Sequence, residues 1–164
     1  MVNKKIPFVD EDDNILGYKE RSGEIKKEIY RVAALWITNS KKQVLLARRA
    51  LTKTNNPGRW GPAVAGTVEE GETYESNIIK EAEEELSLKN INIEKGKKVR
   101  VKGKYNFFCQ YFMAKIDKGA EDFNFNREEV LEVKWFTKQE ILDMAKNHPE
   151  ELTESYKYWV DLFC

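Results

Sequence analysis

Glu81, Glu84 and Glu85 in the stretch KEAEEEL, residues 80 to 86, stand at i, i+3 and i+4, a spacing that sets three carboxylates side by side if the segment is helical. Like charges so placed repel by about 0.2–0.5 kcal/mol per pair. The crowding is therefore either tolerated as a solvated face or compensated by something cationic. A glutamate-rich face is commonly no more than soluble surface, and the run alone does not decide. A wider pattern does. Gly66 is followed after five residues by Glu72, and Glu72 after seven by Lys80, Glu81, Ala82, Glu84, Glu85 and finally Leu88. This ordered set spans a strand end, a loop and a helix.

The elements that must position it are legible around it. From Tyr74 to about Leu86, residues Ile78, Ile79, Ala82 and Leu86 share one apolar stripe, and Thr73 stands as N-cap with acids in the first turn. At about 100° per residue, Glu81, Glu84 and Glu85 fall beside that stripe rather than opposite it, where they can border a cleft. Glu83 points elsewhere, to solvent. Upstream, AVAGTV reads as a short small-residue strand and LTKTNNPGRWGP as a loop. YRVAALWIT and QVLLARRA form a hairpin around NSKK, and IPFVDEDDNILGYKER forms an N-terminal hairpin from which RSGEIKKE leads on. Downstream, INIEKGKKVRVKGKYNFFCQYFMAKI supplies two strands and REEVLEVKWF another, before the amphipathic helices TKQEILDMAK and ELTESYKYWVDLF. The aromatics of KYNFFCQYF are read as core or, failing that, pocket, and Trp36 and Trp60 as packing groups rather than base-stacking platforms.

A chain of 164 residues fits one domain, taken as 1–164. Lys plus Arg equals Asp plus Glu at 28 each, which argues against nucleic acid or an acidic membrane as partner and confines any charge-based function to a local site. The opening MVNKKIPFVDEDDN has no signal-length apolar run, and VAALWI is far short of a span, so the expected location is cytoplasmic. Cys109 and Cys164 form neither a disulfide framework nor a zinc spacing; the first is expected to be a buried inert thiol and the second a frayed end. His148 is expected to be exposed and idle.

The stretch GTVEEGETYESNIIKEAEEELSL, residues 66 to 88, resembles the signature of the Nudix hydrolase family. That signature runs Gly, five residues, Glu, seven residues, then Arg-Glu-apolar-x-Glu-Glu-x-Gly-apolar. Two positions depart from it. Lys80 replaces the arginine, keeping charge but losing the planar fork. Ser87 replaces a glycine just past the helix, where positive φ is commonly needed at a cost of about 1 kcal/mol to serine. The resemblance implies an α+β Nudix fold, an α/β/α sandwich with a mixed sheet and an N-terminal hairpin extension over residues 1–28.

It also implies an activity. A diphosphate repels an attacking water unless divalent cations neutralise it, and carboxylates one turn apart can hold such cations. Magnesium, with manganese as a substitute, suits these hard oxygen donors. By the resemblance, Glu84 and Glu85 are the main metal ligands and Glu81 a further ligand or base. Gly66 lets the backbone pass close to the metal, and Glu72 supports the helix, with Lys80 beside it. Glu128 and Glu129 are second candidates for the base. For the small-molecule diphosphate, Arg48, Arg49, Lys53 and Arg59 are the nearest basic residues, each as readily an ordinary surface cation. Homodimerisation through the hairpin or sheet edges is a family habit that the resemblance extends to this chain.

VDEDDNILGYKERS, ARRA and PGRWGPAVAGTVEEGE look like the branch related to isopentenyl-diphosphate isomerases. That enzyme uses a cysteine and a histidine around the strand glycine. Ala65 and Thr67 stand there instead, and a single histidine cannot supply a histidine-rich metal site. The expectation is therefore a hydrolase that cleaves a nucleoside diphosphate linked to another moiety. The alternatives are a nucleotide-binding module without turnover, which usually loses the signature carboxylates, and the isomerase.

Overall fold

The computed structural model describes residues 4–21 and 27–164; the start of the expected hairpin extension and most of RSGEIKKE, residues 1–3 and 22–26, lie outside them. The N-terminal hairpin pairs β1 (Lys5–Val9) with β2 (Ile15–Glu20) antiparallel. Its turn is closed by Asp10, whose carboxylate accepts the Asp12 and Asn14 amides at 2.9 Å. The remaining strands are β3 (Ile29–Thr38), β4 (Val44–Arg49), β5 (Trp60–Pro62), β6 (Val64–Thr67), β7 (Glu94–Val101), β8 (Phe107–Lys115) and β9 (Val130–Phe136).

The centre of the sheet is β3. It runs parallel to β8 from Tyr30↔Phe107 to Thr38↔Lys115, and its other edge meets β1, β6 and β4 in succession. The hairpin expected between β3 and β4 is therefore only partial. The two strands pair at Ile37↔Leu45 and Thr38↔Val44, then part, β4 continuing against β5 and β9 while β6 takes the place beside β3.

Alternation along β3 feeds two cores, one on each face of the sheet. Ala33, Leu35 and Ile37 pack with Leu45, Val64 and Phe112 beneath α1 (Tyr74–Leu86), which lowers Ile78, Ala82 and Leu86 onto them. Ala34 and Trp36 pack on the opposite face with Leu46, Trp60 and Phe136 against α2 (Lys138–Asn147) and α3 (Tyr156–Phe163), through Ile141 and Trp159. Helices thus cover both faces of a mixed sheet, the expected α/β/α sandwich.

Helix α1 begins where its cap requires. Thr73 Oγ1 accepts the Ser76 amide at 3.0 Å and Ser76 Oγ accepts the Thr73 amide at 2.9 Å. It ends at Ser87, which takes φ 54° and ψ 30°, the left-handed conformation expected there. Ile79 leaves the expected stripe and is 47% exposed. Asn77 is buried in its stead, its amide donating to Thr67 O at 3.0 Å and to Glu72 at 2.8 Å, which turns the buried face toward β6.

Trp36 and Trp60 are buried as expected, Trp60 edge-on to Phe136. Helix α3 starts at Tyr156, after a short 3-10 turn at Pro149–Glu151, and is shorter than the sequence pattern suggests. Its end is not frayed: Phe163 stacks on Trp36 with centroids 4.3 Å apart, and Cys164 is half-buried beside them. No helix among the described residues is long and apolar enough to cross a membrane.

Candidate active site

Strand β6 and helix α1 lie against each other because Gly66 has no side chain. A Cβ built on Gly66 would stand 2.4 Å from Glu81 Cγ and 2.8 Å from its Oε1. The glycine therefore serves the approach of Glu81 to β6. Glu81, Glu84 and Glu85 all open into one cleft of about 450 Å³, which Ala65, Gly66 and Thr67 also line. Glu84 is exposed at the mouth and the other two are half-buried.

The loop entering α1 is tied down by Glu72. Its carboxylate accepts the Glu69 amide at 2.9 Å, the Asn77 amide at 2.8 Å and the Lys80 ammonium at 2.5 Å. Burial alone would raise the Glu72 pKa, but Lys80, the Glu69 amide and Asn77 outweigh it and hold it below the usual carboxylate range. Lys80 also reaches Glu69 at 3.3 Å and Glu81 at 3.6 Å. A point charge at the centre of three carboxylates thus takes the place of the missing guanidinium fork.

The carboxylates that face the cleft behave in the opposite way. Burial raises the pKa of Glu81, with Glu84 and Glu69 adding to it against Lys80 and Arg21. Burial, then Glu81 and Glu129, push Glu85 up to about 8, opposed by the Ala65 backbone and Arg49. Such a set is short of positive charge. Its donors are all hard oxygens beside a cleft wall that glycine keeps clear, a fit for a divalent cation of the magnesium or manganese type. The three carboxylates share a cleft rather than one point. Among the described residues the trio whose donor atoms all lie within 4.8 Å of one another is His148, Glu150 and Glu151, all exposed.

The structure separates the other expected site residues. Arg49 and Lys53 line the cleft, Arg49 Nε donating to Asn55 O at 2.8 Å and Lys53 Nζ meeting Glu129 at 2.6 Å. Arg48, next along β4, does not line this cleft but borders the smaller recess beside it, donating to Gly58 O at 2.8 Å with its guanidinium over Trp60. Arg59 turns toward the Leu152 carbonyl and does not line the cleft. Glu129 lies in the cleft and Glu128 is exposed outside it.

Lys4 and Arg21, from the two ends of the N-terminal hairpin, and Tyr30 of β3 also line the walls of the cleft and were not singled out by the sequence; Tyr105 and Phe107 of KYNFFCQYF line them too, the pocket side of the two readings of that segment. A smaller recess of about 150 Å³ adjoins the cleft past Glu85 and Ala65, walled by Ala34, Ala47, Ala63 and Cys109 with Arg48 and Thr153. Burial pushes the Cys109 thiol up to about 12, so it is an uncharged lining group.

Comparison with known proteins agrees with this geometry. The NUDIX domain model matches residues 28–159. The chain belongs to the Nudix family. An uncharacterised Nudix hydrolase of Pseudomonas aeruginosa is 29% identical over 147 residues, covering 88% of this chain and 85% of that protein. A Nudix hydrolase of Listeria monocytogenes is 30% identical over 117 residues, 70% of this chain and 67% of its own. An isopentenyl-diphosphate Delta-isomerase of Salmonella heidelberg is 30% identical over 90 residues, 54% of this chain and 50% of that one, in keeping with the expected branch. In structure, DR0079 from Deinococcus radiodurans shares the Nudix fold with a TM-score of 0.85 at 22% identity, covering 97% of this chain and 98% of that one. As a Nudix hydrolase, this chain is an enzyme of pyrophosphate-linkage hydrolysis, in a family that generally uses divalent metal ions.

Proposed function

We propose that this Nudix hydrolase cleaves the diphosphate linkage of a nucleoside diphosphate joined to another moiety, with magnesium, or manganese in its place. The observation that carries the reading is the apposition, in one cleft, of Glu81, Glu84 and Glu85 on one wall and the cations Arg49 and Lys53 on another. Glu84 and Glu85 would hold the cation, with Glu81 beside them. When bound, the cation supplies neutralisation of the phosphate charge and acidifies water.

The side chains do the rest. Arg49 and Lys53 orient the diphosphate and stabilise charge on the leaving phosphate. Lys53 exchanges its contact with Glu129 for the incoming phosphate. Glu81, raised in pKa and pressed against Gly66, accepts the proton of the attacking water, the role for which a tuned carboxylate is suited. The smaller recess, walled by alanines and bordered by Arg48, accepts part of the organic group and sets its orientation.

The test is a panel of diphosphate compounds incubated with magnesium or manganese and read by released phosphorylated product. Turnover of a nucleoside-diphosphate compound, abolished in Glu84→Gln without loss of fold, is the expected result. No product from any member of the panel overturns the proposal. The edge strand β2, with Ile15, Leu16 and Tyr18 exposed, is where two copies would pair, and a monomeric mass by size-exclusion chromatography with light scattering would refute that.

A further inference from the structure

The Lys4 and Arg21 side chains come from opposite ends of the N-terminal hairpin, yet meet at one carboxylate. Lys4 Nζ is 3.0 Å and Arg21 Nη1 3.7 Å from the same oxygen of Glu69. Both cations are more than half exposed, and such pairs contribute little to stability. Glu69 is already shared with Lys80, and among the described residues it is the carboxylate partner of both Lys4 and Arg21. Lys80 is also matched by Glu72 at 2.5 Å and Glu81 at 3.6 Å, so among the described residues Glu69 is the carboxylate that serves the two half-exposed cations Lys4 and Arg21 at this corner of the cleft.

The corner has a defined place along α1. Arg21 and Glu69 act electrostatically on Glu81, whereas Arg49 and Glu129 act on Glu85. Those two glutamates are one helical turn apart, about 6 Å along the axis. The cleft therefore has a cationic position at each end of its carboxylate wall: Arg49 with Lys53 at one, Lys4 with Arg21 at the other. A linkage flanked by an uncharged group needs only one of them. A longer phosphate chain offers an anion to each.

We infer that Lys4 and Arg21 form a second anion-binding position, which takes the terminal phosphate of a polyphosphate-bearing nucleotide and makes the hairpin part of the substrate site. The inference rests on the proposed diphosphate chemistry for the alignment of the substrate, but its test does not require turnover. Glu69 holds the two cations in place until the phosphate displaces it.

Binding of non-hydrolysable imido analogues of the four nucleoside triphosphates, with magnesium, is measured by calorimetry alongside the matching nucleoside monophosphates. Lys4→Gln/Arg21→Gln is expected to weaken the tightest-bound triphosphate analogue at least tenfold and the monophosphate less than twofold. Glu69→Gln, which leaves both cations without their anion, is expected to bind the triphosphate analogue as tightly as the unaltered chain or tighter. An unchanged triphosphate affinity in the double variant overturns the inference. So does an equal loss in the double variant and in Glu69→Gln, the mark of a purely structural ion pair. Failure of the diphosphate panel together with the expected binding results would overturn the proposed reaction while leaving the anion position standing.

Discussion

The absent side chain of Gly66 and the carboxylate of Glu81 occupy one space: a Cβ on the glycine would fall 2.4 Å from Glu81 Cγ, closer than any non-bonded carbon pair tolerates. Gly66→Ala must therefore drive Glu81 out of the cleft or separate α1 from β6. A displacement near 1 Å at a reacting group costs about 10²-fold in rate. Gly66→Ala is expected to lower kcat by that order with an almost unchanged far-UV circular dichroism spectrum. A variant with full activity would show that the position of Glu81 has no bearing on turnover.

Glu129 is held by Lys53 at 2.6 Å, whereas Glu81 faces Gly66 with Lys80 at a looser 3.6 Å. If the base lies in the helix, Glu129→Gln should reduce kcat by less than about tenfold, against the 10²–10⁴-fold that general base catalysis contributes. Steady-state kinetics on the best substrate of the panel decide between them. A loss of about 10³-fold in Glu129→Gln, with Glu81→Gln mild, would move the base to the opposite wall.

Acidity offers a test that needs no substrate. Glu85 has its pKa raised from 4.5 to about 8, so the folded chain holds a proton that the unfolded chain releases. That contribution to stability is complete below about pH 4.5 and is lost as pH rises toward 8. In the presence of a chelator, Tm is expected to fall over this window, and Glu85→Gln to flatten the fall. Excess magnesium should invert the trend, its stabilisation growing with pH as it competes with the proton. Differential scanning fluorimetry across pH, with and without the metal, reads all three; a Tm insensitive to magnesium at pH 8 would refute the cation site.

The hairpin is fastened to the start of helix α1 by Asp13, which accepts Arg31 Nε at 2.8 Å, Tyr74 OH at 3.0 Å and Lys98 Nζ at 2.5 Å. Burial would raise its pKa, but Lys98, Arg31 and Tyr74 prevail and hold it below 3.8. Asp13→Ala strands two cations and a hydroxyl and is expected to cost about 2–3 kcal/mol, the scale of a charged hydrogen-bond network. Its contribution is present above pH 3.8 and is lost as pH falls below it. Urea unfolding at pH 7 measures the first statement and the acid limb of the stability curve the second.

The span of α1 could be read from the sequence because its determinants are local: a threonine that caps, a repeat of apolar residues, and the end at Ser87. The branching of β3 could not. Nothing within YRVAALWIT says that β6 will displace β4 from its side after two residue pairs, since that choice rests on distant partners such as Thr67 for Val32 and Val64 for Leu35. The same holds for the cleft. Glu81, Glu84 and Glu85 follow from helical spacing, and Arg49 follows from its strand end, but its neighbour Arg48, held by the Gly58 carbonyl, borders the smaller recess instead. Lys4 and Arg21 carry no signal in their own neighbourhoods. They reach the site only because a hairpin, closed at Asp10 and anchored at Asp13, returns both its ends to Glu69.

Ser87 sits at φ 54° where the family signature has glycine, and its amide and that of Leu88 close the helix on Glu83 O at 3.0 Å and Ala82 O at 3.1 Å. The left-handed conformation strains any residue with a Cβ, and serine lacks the local amide that lets asparagine tolerate it. Ser87→Gly relieves that strain but also frees the unfolded chain, so the net gain is expected to be about 0.5–1 kcal/mol. The position lies two residues beyond Glu85, and its side chain is exposed. Stability should therefore rise while kcat and KM stay within twofold of the unaltered chain. A large change in kcat without a change in Tm would mean that the serine, by tightening the last turn, sets the carboxylate geometry rather than merely ending the helix.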